Sequence, residues 1–444
     1  MSEKSARGPE KPPRSTHAMT GARAGASGRG AGKSPLLFIF LVVFIDLLGF
    51  GIVIPLLPVY SKAYGASELQ LGLIFAAFSG MQFVFAPLWG RWSDRIGRKP
   101  ILVGGLIGTA GSYVLFAHAD SLALLLASRL LAGFFGANIS TAQAYIADVT
   151  TPENRAKGMG LIGAAFGLGF TLGPFIGGEL TRISPHAPGW FAAGFSLAAA
   201  IFGWIILREP ERTSGESRLF GFGQVKRAFT EPRIGVLFVL SYFFLFAFSS
   251  FEAMFTRFGL ARFPEVFHVP VSLENATLDE IMQAAPIAGR YLMGIGIISA
   301  IIQGGLIRRL VPRFGETKLA IAGPIFLGIG FAIVGFATSW AWVVVGCLVM
   351  PLGFGLNNPA LTSLVSRAAP EHEQGAFLGL NQSVSSFARM TGPPFAGFVF
   401  AYGPEKPFLI GAGLLLVSCL VARWYDARFG ASYPRRAATT AVEA

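Results

Sequence analysis

The sequence predicts an all-α membrane protein: twelve transmembrane helices in two pseudo-symmetric six-helix bundles, with cytoplasmic N- and C-termini. Three observations lead there. Of 444 residues, 53% are hydrophobic and only 14% charged, against about 25% charged in soluble domains. Apolar runs close to the bilayer-spanning length of about 20 residues recur along the chain, with basic residues gathered between alternate pairs of them. The two halves of the chain also share motifs at a nearly constant offset. The 56 Gly and 42 Phe suit helices that pack through small residues in lipid.

In chain order, residues 1–34 are rich in Gly, Ser, Pro, Arg and Lys and read as a disordered basic tail. Apolar runs follow near 36–60, 71–90, 101–118, 122–147, 157–181 and 189–207, an N-terminal bundle over 35–208. The first run is too long for the core of a signal peptide. The charged stretch 209–232 reads as a cytoplasmic linker. Runs near 234–256, 285–307, 318–338, 341–366, 375–401 and 407–423 form a C-terminal bundle over 233–424, and 425–444 is a tail. The longest outer loop, 258–284, is expected to hold a short helix around Leu278–Met282.

Charge fixes the orientation. Of the 36 Lys and Arg, six (Lys62, Arg182, Arg257, Arg262, Arg290 and Lys406) fall in outer segments, and Arg129 and Arg389 lie inside apolar runs. The other 28 gather in the tails, around the linker and near the loops at 91–100, 148–157, 308–318 and 367–374. Loops rich in Lys and Arg stay in the cytoplasm. The net charge of +12 is explained by that rule and calls for no nucleic-acid partner. Cys347 and Cys419 lie in apolar runs without metal-ligand spacing, so no metal site is expected.

The repeat pairs Gly90 with Gly305, Pro152-Glu153 with Pro370-Glu371, and Gly173-Pro174 with Gly392-Pro393, at offsets of 215, 218 and 219. Duplicated units of this kind pack face to face around a cavity near the bilayer midplane. The densest motif is Gly90-Arg91-Trp92-Ser93-Asp94-Arg95-Ile96-Gly97-Arg98-Lys99, five charges between two spans. Its twin at 305–315 keeps basic and neutral residues but no acid.

The loop 90–99 resembles the signature loop between helices 2 and 3 of the major facilitator superfamily. Gly173-Pro174-Phe175-Ile176-Gly177-Gly178 resembles the helix 5 motif of its proton-coupled drug antiporters, and Arg129-Leu130-Leu131-Ala132-Gly133 a further motif of that group. Three more segments are similar to bacterial tetracycline-efflux and multidrug proteins. They are Asp46–Gly51 with Pro55 and Pro58, Met81-Gln82-Phe83 with Ala86-Pro87, and Ala144–Asp148 with Pro152–Arg155. The match covers all twelve spans and is most specific over 46–178. Ser112 stands where the tetracycline proteins carry an acid, and spans 8 and 9 hold no acid or histidine, so tetracycline itself is not implied.

The resemblance implies a non-enzymatic, monomeric exporter of amphipathic small molecules in a bacterial inner membrane. It would work by alternating access, with the proton-motive force as energy source and no cofactor. The sequence has no Gly-x-x-x-x-Gly-Lys-Ser/Thr phosphate loop. A metabolite or sugar symporter of the same superfamily and a non-transporting receptor are the alternatives. The helix 5 glycine-proline motif argues against the first, and intramembrane charge argues against the second.

Asp46 and Arg129 are the expected proton-coupling pair. A charge at a helix centre costs about 2.5–3.5 kcal/mol on insertion scales, so it normally faces a cavity and has a purpose. Arginine stays protonated, which leaves the proton to Asp46 and a supporting role to Arg129. Gly90, Asp94, Arg95, Gly97, Arg98 and Asp148 form the expected conformational switch, with Asp94 reaching the positive N-terminus of helix 11 near Gln374–Ala376. Gly167, Gly169, Gly173, Pro174, Gly177 and Gly178 are expected to seal the two halves together. Expected cavity residues are Gln82, Asn138, Gln143, Phe166, Phe170, Asn357, Asn358, Gln382 and Arg389, with Phe251, Gln303 and Asn381 beside them. Glu252, toward the outer end of its span, reads as an interfacial glutamate, with a second titratable site as the alternative.

Overall fold

The computed structural model describes residues 33–150, 152–209, 230–269, 278–370 and 374–432. The basic tail up to residue 32, most of the linker and the chain from 433 onward lie outside the described residues.

The first half runs through α1 (Lys33–Val53), α2 (Leu56–Ala63), α3 (Glu68–Ile96), α4 (Arg98–Ala117), α5 (Leu122–Phe135), α6 (Ile139–Val149), α7 (Pro152–Leu180) and α8 (Ala187–Ile206). The second runs through α9 (Pro232–Arg262), α10 (Leu278–Met282), α11 (Ala284–Ile301), α12 (Ile307–Phe314), α13 (Glu316–Gly335), α14 (Trp340–Ala368), α15 (Gln374–Phe400) and α16 (Lys406–Phe429). The expected short helix at Leu278–Met282 is α10. Among the described residues, ten helical segments are long and apolar enough to cross a bilayer, so the chain is a multi-pass membrane protein. The helices α7 and α15 are 29 and 27 residues long.

Three expected continuous spans are interrupted, the first of them at Ile54–Pro55 between α1 and α2. The fourth breaks at Gly136–Asn138, between α5 and α6. Helix breaks in a membrane persist only where other groups satisfy the freed backbone, and here α3 supplies them. Trp89 Nε1 donates to the Phe134 carbonyl at 2.6 Å, and Gln82 Nε2 donates to the Gly136 carbonyl at 3.1 Å. In return Ser140 Oγ donates to the Ala86 carbonyl at 3.0 Å. The eighth span carries one π-helical turn at Ile302–Leu306, between α11 and α12.

The halves meet along two helix pairs, α3 with α15 and α7 with α11. The glycine-proline motif explains how. A methyl group on Gly169, Gly173 or Gly177 would collide with Leu47, Gly51 or Ile52 of α1, so this stripe binds α7 inside its own half. Gly178 looks the other way, against Ala285 and Pro286 of α11; the Pro174 carbonyl also faces that half, at Gly289, while its ring rests on Gly51 of α1. The second half repeats the arrangement. Gly392 packs on Phe246 and Ser249 of α9, while Gly72 of α3 packs on Pro393 and Pro394, and Gly397 on Glu68 and Leu69. Small residues at such crossings let backbones approach closely.

The core is distributed unevenly. One buried apolar cluster joins both halves at the end of the molecule that carries Tyr60, Phe258 and Phe408. Toward the other end the core divides into clusters that each stay within one half, two in the first and one in the second. Ion pairs follow the same division. Arg257 pairs with Glu68, and Arg290 Nη2 with Glu179 at 2.7 Å, each across the halves at the joined end. Among the described residues, the pairs of Arg98 with Asp94 and Asp148, and of Arg367 with Glu316, at the divided end each lie within one half.

Candidate functional site

A cavity lies where the joined end gives way to the divided end. From the first half it is lined by Asp46, Leu47 and Phe50 of α1, Phe78 and Gln82 of α3, Thr109 and Tyr113 of α4, Ala132 and Gly136 at the broken span, Ile139 and Phe170. Arg389 of α15 closes it from the second half. The Phe50 ring lies tilted against Phe78 and Phe170, with centroids 4.6 and 5.5 Å away, and gives the cavity an aromatic wall. Of the expected cavity residues, Gln82, Phe170 and Arg389 line it, and Asp46 joins them.

Asp46 is 9% exposed, and its Oδ1 is buried without a hydrogen-bond partner. Burying an unpartnered polar atom costs about 1–3 kcal/mol, which the fold retains at this one acid of α1. Arg129 does not neutralise it. Its guanidinium carbon sits 4.8 Å from the Phe116 ring centroid and 5.7 Å from that of Tyr113, and its Nε donates to Ser128 Oγ at 3.3 Å. Cation–π contacts of this kind contribute about 0.5–2 kcal/mol. Tyr113 thus touches both the cavity and the arginine behind it.

Arg389 forms no ion pair within 4.0 Å among the described residues; Nη2 donates to Ser386 Oγ at 3.5 Å. Glu252 interacts with it electrostatically from α9. Glu252 is only 8% exposed, which corrects the interfacial reading. It stands ten residues before the end of α9, about 15 Å along the axis.

Asn357, Asn358 and Asn381 line a second, smaller pocket with Ser241, Thr362 and Ser385. Gln143 and Gln382 are half-buried and line neither cavity. Asn138 is buried, with both amide atoms unpartnered, against Gly105; Asn357 repeats this against Gly323 in the second half. Phe251 is buried in the aromatic core with Phe255, Phe331 and Phe408. The Phe166 side chain lies outside the described residues.

The charged loop is built around Arg98. Its Nη1 lies 2.6 Å from Asp94 Oδ1 and 2.5 Å from Ser93 Oγ, and Nε donates to Asp148 Oδ2 at 3.0 Å. Gly97, with φ +121°, turns the chain between α3 and α4, a conformation that favours glycine. Glu209, just after α8, accepts the backbone N–H groups of Arg98 at 2.6 Å and Lys99 at 2.9 Å. A carboxylate there satisfies the exposed donors of the α4 N-terminus. Tyr145 donates to the Arg208 carbonyl at 3.0 Å, and Lys99 Nζ lies 5.0 Å over the Trp204 ring. Asp94 therefore engages its own half here.

The twin loop carries an acid after all, one residue beyond the repeat. Glu316 is 7% exposed; it accepts from Arg367 Nη1 at 2.8 Å and from Ser363 Oγ at 3.2 Å. Loop base and helix acid in the first half become loop acid and helix base in the second. Sequence reading missed Phe50, Phe78 and Tyr113 in the cavity, and Glu209 and Glu316 at the loops. An acid directly after a span, or directly after a turn glycine, was the available signal for the last two.

Comparison with known proteins places the chain in a family. A sequence model described as Major Facilitator Superfamily matches residues 39–393, with a second match over 313–443. The class C tetracycline resistance protein of Escherichia coli is 32% identical over 401 residues, covering 88% of this chain and 96% of that protein. Multidrug resistance protein 1 of Bacillus subtilis is 31% identical, covering 86% of this chain and 94% of its own length. Among solved structures, the human organic anion transporter MFSD10 (TETRAN) superposes with a TM-score of 0.64 at 27% identity, over 88% of this chain and 99% of that one.

Proposed function

The chain belongs to the major facilitator superfamily, and from that membership we propose that it exports amphipathic, drug-like small molecules in exchange for protons, by alternating access. It is a transporter and not an enzyme. The observation that carries the reading is the cavity itself: an unpaired carboxyl, Asp46, inside a membrane helix, facing an aromatic-walled space between two halves joined at one end only. Relatives named for tetracycline and multidrug resistance support a drug-like substrate.

In this reading α7 and α15 also cross the bilayer, making twelve spans, and the chain lies in a bacterial inner membrane with both termini in the cytoplasm. The divided end then faces the cytoplasm, and the structure stands open inward. Asp46 takes and releases the proton. Arg129, held behind Tyr113, keeps a fixed positive field beside it. Gly90, Asp94, Arg95, Gly97, Arg98 and Asp148 act when the halves rock: Asp94 leaves Arg98 and meets the N-terminus of α15 in the outward-open state. Pro174 and Gly178 seal the halves at the joined end, while Gly169, Gly173 and Gly177 hold α7 to α1. The protein works as a monomer without cofactor, each proton charge gaining about 2.3 kcal/mol per 100 mV.

The test is flux in sealed proteoliposomes with an imposed pH gradient and ethidium as a cationic amphipathic probe. Export requires ethidium to accumulate against its gradient while protons move the opposite way. Ethidium that only equilibrates, at the same rate with and without the pH gradient, contradicts proton exchange.

A further inference from the structure

We propose that the small pocket inside the second half binds one alkali-metal cation, sodium or potassium, held by neutral oxygens of α9, α14 and α15. The site is separate from the cavity between the halves and does not depend on the export reading.

The balance of acceptors and donors is the chief observation. Ser241 of α9, Asn357, Asn358 and Thr362 of α14, and Asn381 and Ser385 of α15 line the pocket. Asn357 is 1% exposed, and its Oδ1, like that of Asn381, is buried without a protein partner. Buried acceptors left unmet are costly. The hydroxyls add to them. Ser385 Oγ donates its proton to the Asn381 carbonyl at 2.8 Å, and Thr362 Oγ1 donates to the Asn358 carbonyl at 2.9 Å. A hydroxyl has one proton and two lone pairs, so both oxygens remain acceptors. The pocket thus offers at least four acceptor oxygens against one buried unpartnered donor, Asn357 Nδ2. An excess of neutral oxygens suits a cation, whose hydration shell such oxygens replace. Asn357 Nδ2 can donate to a water bound on the ion.

Size and charge define the occupant. The pocket encloses about 220 Å³, its mouth included, below the roughly 300–1,000 Å³ of sites for drug-sized ligands. At about 30 Å³ per water, it accommodates an ion with a few waters. Asn358 and Thr362 are exposed and leave a way in. No carboxylate lines the pocket, which suits a monovalent ion and not calcium or magnesium, whose sites draw on carboxylates.

The repeat supplies an independent observation. At an offset of 219, the counterparts of Asn358 and Asn381 in the first half are Ile139 and Ile162, both buried in an apolar core cluster. The fold therefore fills these two places with apolar side chains in one half and with amides in the other. Packing alone does not call for the amides.

The test is thermal unfolding of the purified full-length protein in detergent, at constant ionic strength, with potassium or sodium chloride exchanged stepwise for choline chloride. The midpoint is expected to rise with the logarithm of alkali-cation concentration, as for a ligand that binds the folded state alone. The rise should be about 2 °C or more between about 10 and 200 mM salt. A response to one of the two salts alone supports the site and identifies its ion. Asn381→Ile, which places the first half's side chain in the pocket, is expected to fold and to lose the dependence. Ser385→Ala is expected to need about tenfold more cation for the same rise, and it decides the matter alone if Asn381→Ile does not fold. Identical midpoints in alkali and choline salts would mean that water alone fills the pocket, and would overturn the proposal. So would a dependence that the variants retain unchanged, since the cation would then bind elsewhere. Neither readout involves transport, so this proposal and the export reading stand or fall separately.

Discussion

At the scale of single residues, the chemistry lies with charges that lack the partner their neighbourhood would lead one to expect. Asp46 and Arg129 share a half, yet the arginine stacks on Phe116 and Tyr113 and leaves the acid alone. Glu209 is the opposite case, an acid fully engaged by the α4 N-terminus. Its removal loosens the backbone from which Arg98 reaches Asp94 and Asp148. Glu209→Ala is expected to lower transport turnover several-fold with KM for ethidium unchanged, and to cost about 1 kcal/mol of stability, the size of a lost helix cap. Initial-rate flux and thermal unfolding in detergent check this, and Glu209→Gln, which keeps one acceptor, is expected to recover part of the loss. A rise in KM with turnover intact would place Glu209 at the substrate instead.

At the scale of elements, the glycine-proline motif has two faces with separate consequences. Gly173 meets the α1 backbone at Gly51 and Ile52, where nothing flexible can yield. Gly173→Val is expected to destabilise the first half by several kcal/mol, in the range of overpacked cores, and to show as lost expression and a lowered unfolding temperature. Gly178 meets Ala285 and Pro286 of the other half. Gly178→Val is expected to fold but to part the halves at the joined end, making a cysteine placed at Leu69 react faster with a thiol reagent added from that side. Equal effects of both substitutions on folding would refute the division of faces.

What was legible in the sequence followed the same division. Apolar runs, the charge asymmetry and the Gly173/Gly392 repeat show on one strand of sequence because each is a local pattern. The break at Gly136–Asn138 does not, since its carbonyls are answered by Trp89 and Gln82, some 45 and 54 residues away. Glu316 escaped notice because it lies one residue past the turn glycine where the motif ends. Glu252 was misplaced because depth was counted from the end of an apolar run, whereas α9 continues to Arg262. Of the expected cavity set, Gln82, Phe170 and Arg389 line the cavity beside Asp46, and Asn357 and Asn358 face a pocket of their own. Helical phase decides such cases, and it is set by packing partners from distant segments.

At the scale of the whole molecule, the asymmetry between ends defines the state. One apolar core and two ion pairs, Arg257 with Glu68 and Arg290 with Glu179, bridge the halves at the joined end. At the other end, among the described residues, the cores stay within their halves, as do the ion pairs of Arg98 and of Arg367 with Glu316. Replacing both Arg257 and Arg290 with Gln is expected to shift the population toward the opposite state. Spin labels across the joined end should report longer distances, and labels across the loop 90–99 end shorter ones. Buried Arg257, 4% exposed, should contribute more than half-exposed Arg290, since exposed pairs are worth about 0–1 kcal/mol.

Proton exchange is tested most directly by Asp46→Asn in sealed proteoliposomes carrying a pH gradient. The variant removes the one acid of α1 and keeps its shape. If Asp46 carries the proton, ethidium should still equilibrate through the variant down its own gradient, and the imposed pH gradient should no longer drive accumulation. Accumulation by Asp46→Asn at the wild-type rate, with protons moving in exchange, would show that the proton travels elsewhere.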